Sequence, residues 1–125
     1  MSDFKSVIVE TSRELSPRER IMMKDTRNAI KLDTASANGE KVLIDVDGYA
    51  VLDIHNDAAD PQDYKNYVII DKGGNKYVTG SNSFWRSFTE IYEEMKEADE
   101  DFTIEVYQVE SKNYKGKSFI TCSIV

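Results

Sequence analysis

From Lys41 to His55 the chain reads KVLIDVDGYAVLDIH, with Val42, Ile44, Val46, Ala50, Leu52 and Ile54 apolar at even positions and Asp45, Asp47 and Asp53 at odd ones. A period of two predicts a strand with one face buried. The run is too long for a flat strand, and Gly48 at its middle predicts a bend or bulge that lets it curl. Long, bent first strands of this kind close small barrels. The polar stretch 56–63, with Pro61, predicts a loop. Tyr67–Ile70 predicts a second strand, Lys72-Gly73-Gly74-Asn75 a hairpin turn whose glycines accept positive φ, and Lys76–Thr79 the returning strand.

A different period follows. Phe84, Trp85, Phe88, Ile91, Tyr92 and Met95 recur at helical spacing, with Glu90, Glu93, Glu94 and Glu97 opposite, so a helix begins after the N-cap serines at 81 and 83. Its apolar face makes Trp85 a core residue. Phe102–Val109 and Ser118–Ile124 predict the last two strands, joined by a turn at 112–117. Upstream, Lys5–Thr11 predicts a short strand. Ser16-Pro17-Arg18-Glu19 has the form of a capping box with proline at the first helical position, opening a helix through about Lys24 or as far as Arg27. Asp33–Glu40 predicts a loop.

The order β-β-β-α-β-β, with the helix between the third and fourth strands, predicts a mainly β, OB-fold-like five-stranded barrel over residues 41–125. Residues 1–40 form an N-terminal strand and short helix that pack on it. An α+β sheet with one covering helix is the other architecture the order allows.

Composition bounds the function. The net charge is −7 over 125 residues, but it is unevenly spread. Residues 33–62 carry one basic and seven acidic groups, and 89–110 one basic and nine. Residues 1–32 and 63–88 each balance at +2, and 111–125 hold three lysines and no acid. The ends and middle are therefore basic, and two segments hold the acid. One cysteine, Cys122, excludes an internal disulfide, and alternation places it with the core set, where it is inert. No apolar run reaches the roughly 20 residues of a membrane span. The N-terminus lacks the basic start and long apolar stretch of a signal peptide. A cytoplasmic protein without membrane partners is expected.

In the last hairpin, Phe102, Ile104 and Val106 alternate with Thr103, Glu105 and Tyr107, while Ile120, Cys122 and Ile124 alternate with Phe119, Thr121 and Ser123. An inward aliphatic set turns Tyr107 and Phe119 outward, beside a loop bearing Lys112, Tyr114, Lys115 and Lys117. Bases stack on aromatic faces without sequence preference, and lysines neutralise the intervening phosphates. Alternatively, the two rings are an ordinary cross-strand pair and the lysines keep an exposed hairpin soluble. Tyr49, Tyr67 and Tyr77 extend the candidate platform or are half-buried strand tyrosines. Arg86, at the helix start, is a candidate phosphate contact. Asp45, Asp47 and Asp53 near His55 and Asp57 have alternate-strand spacing that can hold Mg²⁺, but a solvated acidic face explains them better. Asp45-x-Asp47-Gly48 misses the calcium-loop pattern. No nucleophile accompanies His55, and there is no phosphate loop, dinucleotide fingerprint or zinc spacing, so neither catalytic residues, metal nor cofactor are expected.

The run from Lys112 to Cys122 (KNYKGKSFITC), with Tyr77-Val78-Thr79-Gly80-Ser81 before the aromatic helix, resembles small single-stranded-DNA-binding proteins encoded by phages and mobile elements of Gram-positive bacteria. The resemblance covers most of the chain, including Leu15–Asp33. It implies an OB-fold that coats single strands without base specificity during replication, recombination or transfer, in the cytoplasm of a bacterial or phage-infected cell. Host-type relatives carry a disordered acidic tail, whereas this chain stops in a strand. The acidic block Glu93–Asp101 is a candidate substitute for that tail in contacting replication or recombination proteins. Weak single-site binding by an acidic protein favours self-association along the strand, with Lys5–Thr11 as a candidate edge. The alternative function is an acidic protein-interaction module, or DNA mimic, that docks on a host protein.

Overall fold

A computed structural model describes residues 4–110 and 118–125, and the protein is mainly β. The strands are β1 (Phe4–Thr11), β2 (Ile30–Lys31), β3 (Val42–Asn56), β4 (Asp63–Asp71), β5 (Lys76–Thr79), β6 (Thr103–Glu110) and β7 (Ser118–Ile124). Helices α1 (Pro17–Lys24), α2 (Leu32–Ala35) and α3 (Asn82–Ala98) intervene. From β3 onward the order is β-β-β-α-β-β, as the periodicities predict. No helix among the described residues is long and apolar enough to cross a membrane.

The chain clusters into two compact units, and their boundary does not follow the expected break at Glu40/Lys41. The first unit joins residues up to Ile30 with Asp47–Gly80, and the second joins Lys31–Val46 with Ser81–Val125. The reason is β3, whose length lets its two halves pair with different strands.

In the first unit β1 runs antiparallel to the C-terminal half of β3, with Lys5 opposite His55 and Ile8 opposite Leu52. The register slips between Ile8 and Glu10, which makes Val9 an extra residue. The bulge therefore lies in β1. Gly48 has a different duty: a Cβ there would stand 2.8 Å from Ser12 Oγ and 3.1 Å from Arg13 Nη1. A side chain here would force Ser12, whose Oγ accepts from the Tyr49 amide, to shift. β4 and β5 form the predicted hairpin, Tyr67 opposite Thr79 and Ile70 opposite Lys76. Gly74 supplies the positive φ of +88°, and Asp71 accepts from the Gly74 and Asn75 amides. Around them Ile8, Met23, Ala50, Leu52, Ile54, Val68 and Val78 make the core, with Leu15 and Ile70 against it.

The capping box of α1 is complete: Ser16 Oγ accepts from the Glu19 amide at 3.2 Å, and Glu19 Oε1 accepts from the Ser16 amide at 3.1 Å. Lys76 closes the other end, donating to the Met22 and Asp25 carbonyls at 2.7 and 2.6 Å.

In the second unit the N-terminal half of β3 pairs with β6, Ile44 opposite Ile104, and β6 pairs with β7. Helix α3 packs on β7, buries Phe84 and Phe88 completely, and is capped by Ser81, whose Oγ accepts from the Phe84 amide. Trp85 is half-buried, its ring 5.3 Å from that of Phe88. The segment expected to be a loop at 33–40 holds one turn of helix and a 3-10 turn (Ala37–Gly39) instead. Leu32 is fully buried and anchors this segment, and buried Ser36 donates to the Leu32 carbonyl at 2.7 Å.

Candidate nucleic-acid interface

The β6/β7 hairpin divides its side chains as the alternation requires. Ile104, Val106, Ile120 and Cys122 are buried on one face. The other carries Tyr107, Val109, Phe119, Thr121 and Ser123. Tyr107 stands opposite Thr121, and Phe119 opposite Val109, so the two rings are diagonal neighbours on one face. Phe119 is 42 % exposed, against an ordinary expectation of burial for so large an apolar side chain. Tyr107 is half-buried, and its hydroxyl lies 2.7 Å from Ser123 Oγ, which fixes its ring.

Polar contacts hold the hairpin at this geometry. Gln108 Nε2 donates to the Asp33 carbonyl at 2.9 Å, and Gln108 Oε1 accepts from Ser118 Oγ at 2.8 Å. Ser83 Oγ donates to the Ile120 carbonyl, and the Ser87 and Thr121 hydroxyls meet at 2.8 Å, tying α3 to β7. Lys112, Tyr114, Lys115 and Lys117 lie outside the described residues. They belong to the connection between the ends of these two strands, adjoining Val109 and Phe119 in the chain.

Comparison with protein-family models, curated proteins and solved structures finds no match.

The remaining candidates divide by burial. Tyr67 and Tyr77 are only 4 % and 7 % exposed, so neither ring has a free face on which a base can stack. Both belong to the first unit's packing, which corrects their reading as platform residues. Tyr77 donates from its hydroxyl to Asp71 Oδ2 at 3.2 Å, and burial, then the Asp71 charge, push its phenol pKa up. Tyr49 is half-buried and donates to Glu10 Oε2 at 2.9 Å. Arg86 is exposed on α3 in the second unit, the unit that holds Tyr107 and Phe119.

The strand carboxylates do not converge. Asp47 pairs with Arg13 at 3.3 Å, Asp53 with Lys65 at 2.9 Å, and Asp45 accepts from Thr103 Oγ1 at 3.4 Å. No group of three His, Cys, Asp or Glu side chains among the described residues is arranged to hold a metal ion. His55 stands between two carboxylates, Nδ1 at 2.8 Å from Asp63 Oδ1 and Nε2 at 2.6 Å from Asp57 Oδ1. Hydrogen bonds to Asp63 first and Asp57 second raise its pKa.

Two residues of the hairpin face escaped the sequence reading. Val109 is exposed beside Phe119, and Leu43 of β3 stands opposite Glu105, on the Tyr107 side of the sheet, and is largely exposed. Leu43 is apolar at an odd position, but so are Tyr49 and Val51, so the alternation alone did not single it out. Lys41 adds a cation there, 3.5 Å from Glu105.

Proposed function

We propose that this chain is a sequence-independent single-stranded-DNA-binding protein whose strands β3–β7 form an OB-type barrel, serving replication, recombination or transfer of a phage or mobile element. The observation that carries the reading is the outer face of the β6/β7 hairpin, where exposed Phe119 stands diagonal to Tyr107 and the connecting segment supplies three lysines. An aromatic ring offers every base the same π-face, so such a face binds single strands without reading sequence. The element order, and the pairing of β3 with β6 and β6 with β7, agree with an OB barrel. Leu43 and Val109 widen the apolar floor on which bases would lie.

The charge pattern shapes the expected binding. Lysines at 112, 115 and 117, with Lys41, neutralise few phosphates, so affinity falls with salt at a modest slope. The test is fluorescence anisotropy with an oligo-dT of about 30 nucleotides at ~50 and ~300 mM NaCl, against duplex of the same length. The expected result is preferential single-strand binding that weakens with salt. Phe119→Ala should weaken it about 5- to 150-fold, the equivalent of one lost stacking contact of about 1–3 kcal/mol. No binding at the lower salt overturns the proposal. Binding that is unchanged in both Phe119→Ala and Tyr107→Ala overturns the assignment of this face.

A further inference from the structure

The second unit carries an apolar groove of about 260 Å³, lined by Ile91 and Met95 of α3 and Ile124 of β7, with Glu90 and Glu94 on its rim. Ile124 is about half exposed. The rim continues into acid: residues 89–101 hold seven acidic groups and one lysine. An apolar floor of this kind accepts an aliphatic anchor, and its edge selects one flanked by cations.

Helix α1 of the first unit has the complementary form. Ile21 is 70 % and Met22 53 % exposed, while Met23 beside them fills the core. Arg18 stands one turn before Ile21 and Met22, and Arg20 and Lys24 flank them at a spacing of four. Residues 17–31 hold five basic and two acidic groups. Both acids are already engaged, Glu19 by the Ser16 cap and Arg13, and Asp25 by Arg27. Arg18, Arg20 and Lys24 on one side, and Glu90 and Glu94 on the other, have no ion-pair partner among the described residues. Two exposed large apolar side chains on an eight-residue helix are what a docking anchor looks like; their burial against a matching groove removes apolar area from water.

We propose that the groove between α3 and β7 receives α1 of a second copy of this chain. Ile21 and Met22 enter the groove, and Arg18, Arg20 and Lys24 face Glu90 and Glu94. The contact is heterologous, because the two surfaces differ, so it repeats head to tail and generates open chains or rings. It needs no nucleic acid, and it would string copies along a single strand.

Sedimentation velocity without DNA tests it at about 100 µM protein and ~50 mM NaCl, with a second series at ~500 mM, where screening shortens the reach of these charges to a few ångströms. The wild type should show species heavier than one 14.3 kDa chain at low salt and lose them at high salt. Ile21→Asp/Met22→Asp disables the helix, and Glu90→Lys/Glu94→Lys disables the groove; each variant alone should sediment as one chain. An equimolar mixture of the two retains one intact helix and one intact groove, and should give a 1:1 dimer that grows no further. Arg18→Glu/Arg20→Glu replaces the first variant if that one fails to fold. A monomeric wild type at low salt overturns the proposal, as does association that persists in either variant, or a mixture that remains monomeric.

Discussion

Phe88 is fully buried on α3, with the rings of Phe84, Trp85 and Tyr92 at 5.8, 5.3 and 5.9 Å. Replacing it by alanine deletes the central ring of this ladder and leaves a cavity between α3 and the hairpin it covers. A buried phenylalanine truncated to alanine costs about 3–5 kcal/mol, and three aromatic neighbours place this site in the upper half. Alanine returns about 0.5 kcal/mol through its better helix propensity, so the net loss is about 4 kcal/mol. A chain of this size holds about 6–19 kcal/mol in total, so the variant should fold with its stability cut substantially. Trp85 is the only tryptophan and adjoins Phe88, so its fluorescence during urea unfolding reports on this unit. The midpoint should fall with the slope unchanged. Phe88→Leu should lose only about 1–2 kcal/mol, since most apolar volume is kept. A loss below about 1 kcal/mol in Phe88→Ala would refute the claim that α3 closes the second unit's core through its aromatic face.

Three further outcomes follow from particular contacts. Gly48→Ala should cost about 1–3 kcal/mol in urea unfolding, because its Cβ meets Ser12 Oγ, the acceptor of the Tyr49 amide; adding Ser12→Ala should change stability by less than the sum of the single effects, since the clash is then gone. His55 has a folded pKa raised above 6.5, so the stability it lends is fully present below that pH and is lost as pH rises through the elevated value. The single histidine makes its NMR titration unambiguous, and Asp63→Asn should lower the measured pKa; an unchanged value would remove Asp63 as the main cause. Burial pushes the Cys122 thiol up to about 12, so Ellman's reagent at pH 8 should react at the rate of unfolding, and rapid reaction in the folded protein would contradict the hairpin's inner face.

Much of the architecture was legible because its causes are local. The period of two over Val42–His55 and the single apolar face of Phe84–Met95 reflect where each side chain must point along one element. The same holds for the Ser16 capping box and the Gly74 turn, whose partners lie within four residues. Alternation also placed Tyr107 and Phe119 on one face of the last hairpin, because a strand has only two sides. The segment after Lys31 shows where local reading stops: it reads as a polar loop, yet Leu32 and Ser36 are fully buried in it and it holds a helical turn.

The sequence by itself determined the main strands and the two longer helices, their order, and which of their residues share a face. Only the tertiary structure decided which faces stay open. Tyr67 and Tyr77 look like Tyr107 in the chain, yet they are buried, because burial depends on what packs above a face. Gly48 reads as a bend until Ser12, 36 residues earlier, occupies the space a side chain would need. Likewise Glu90, Ile91 and Met95 are one helix's alternating faces until Ile124 arrives beside them and makes a groove. Patterns within an element follow from chain geometry, which the sequence carries directly. Contacts between elements depend on distances that close only when the whole chain has packed.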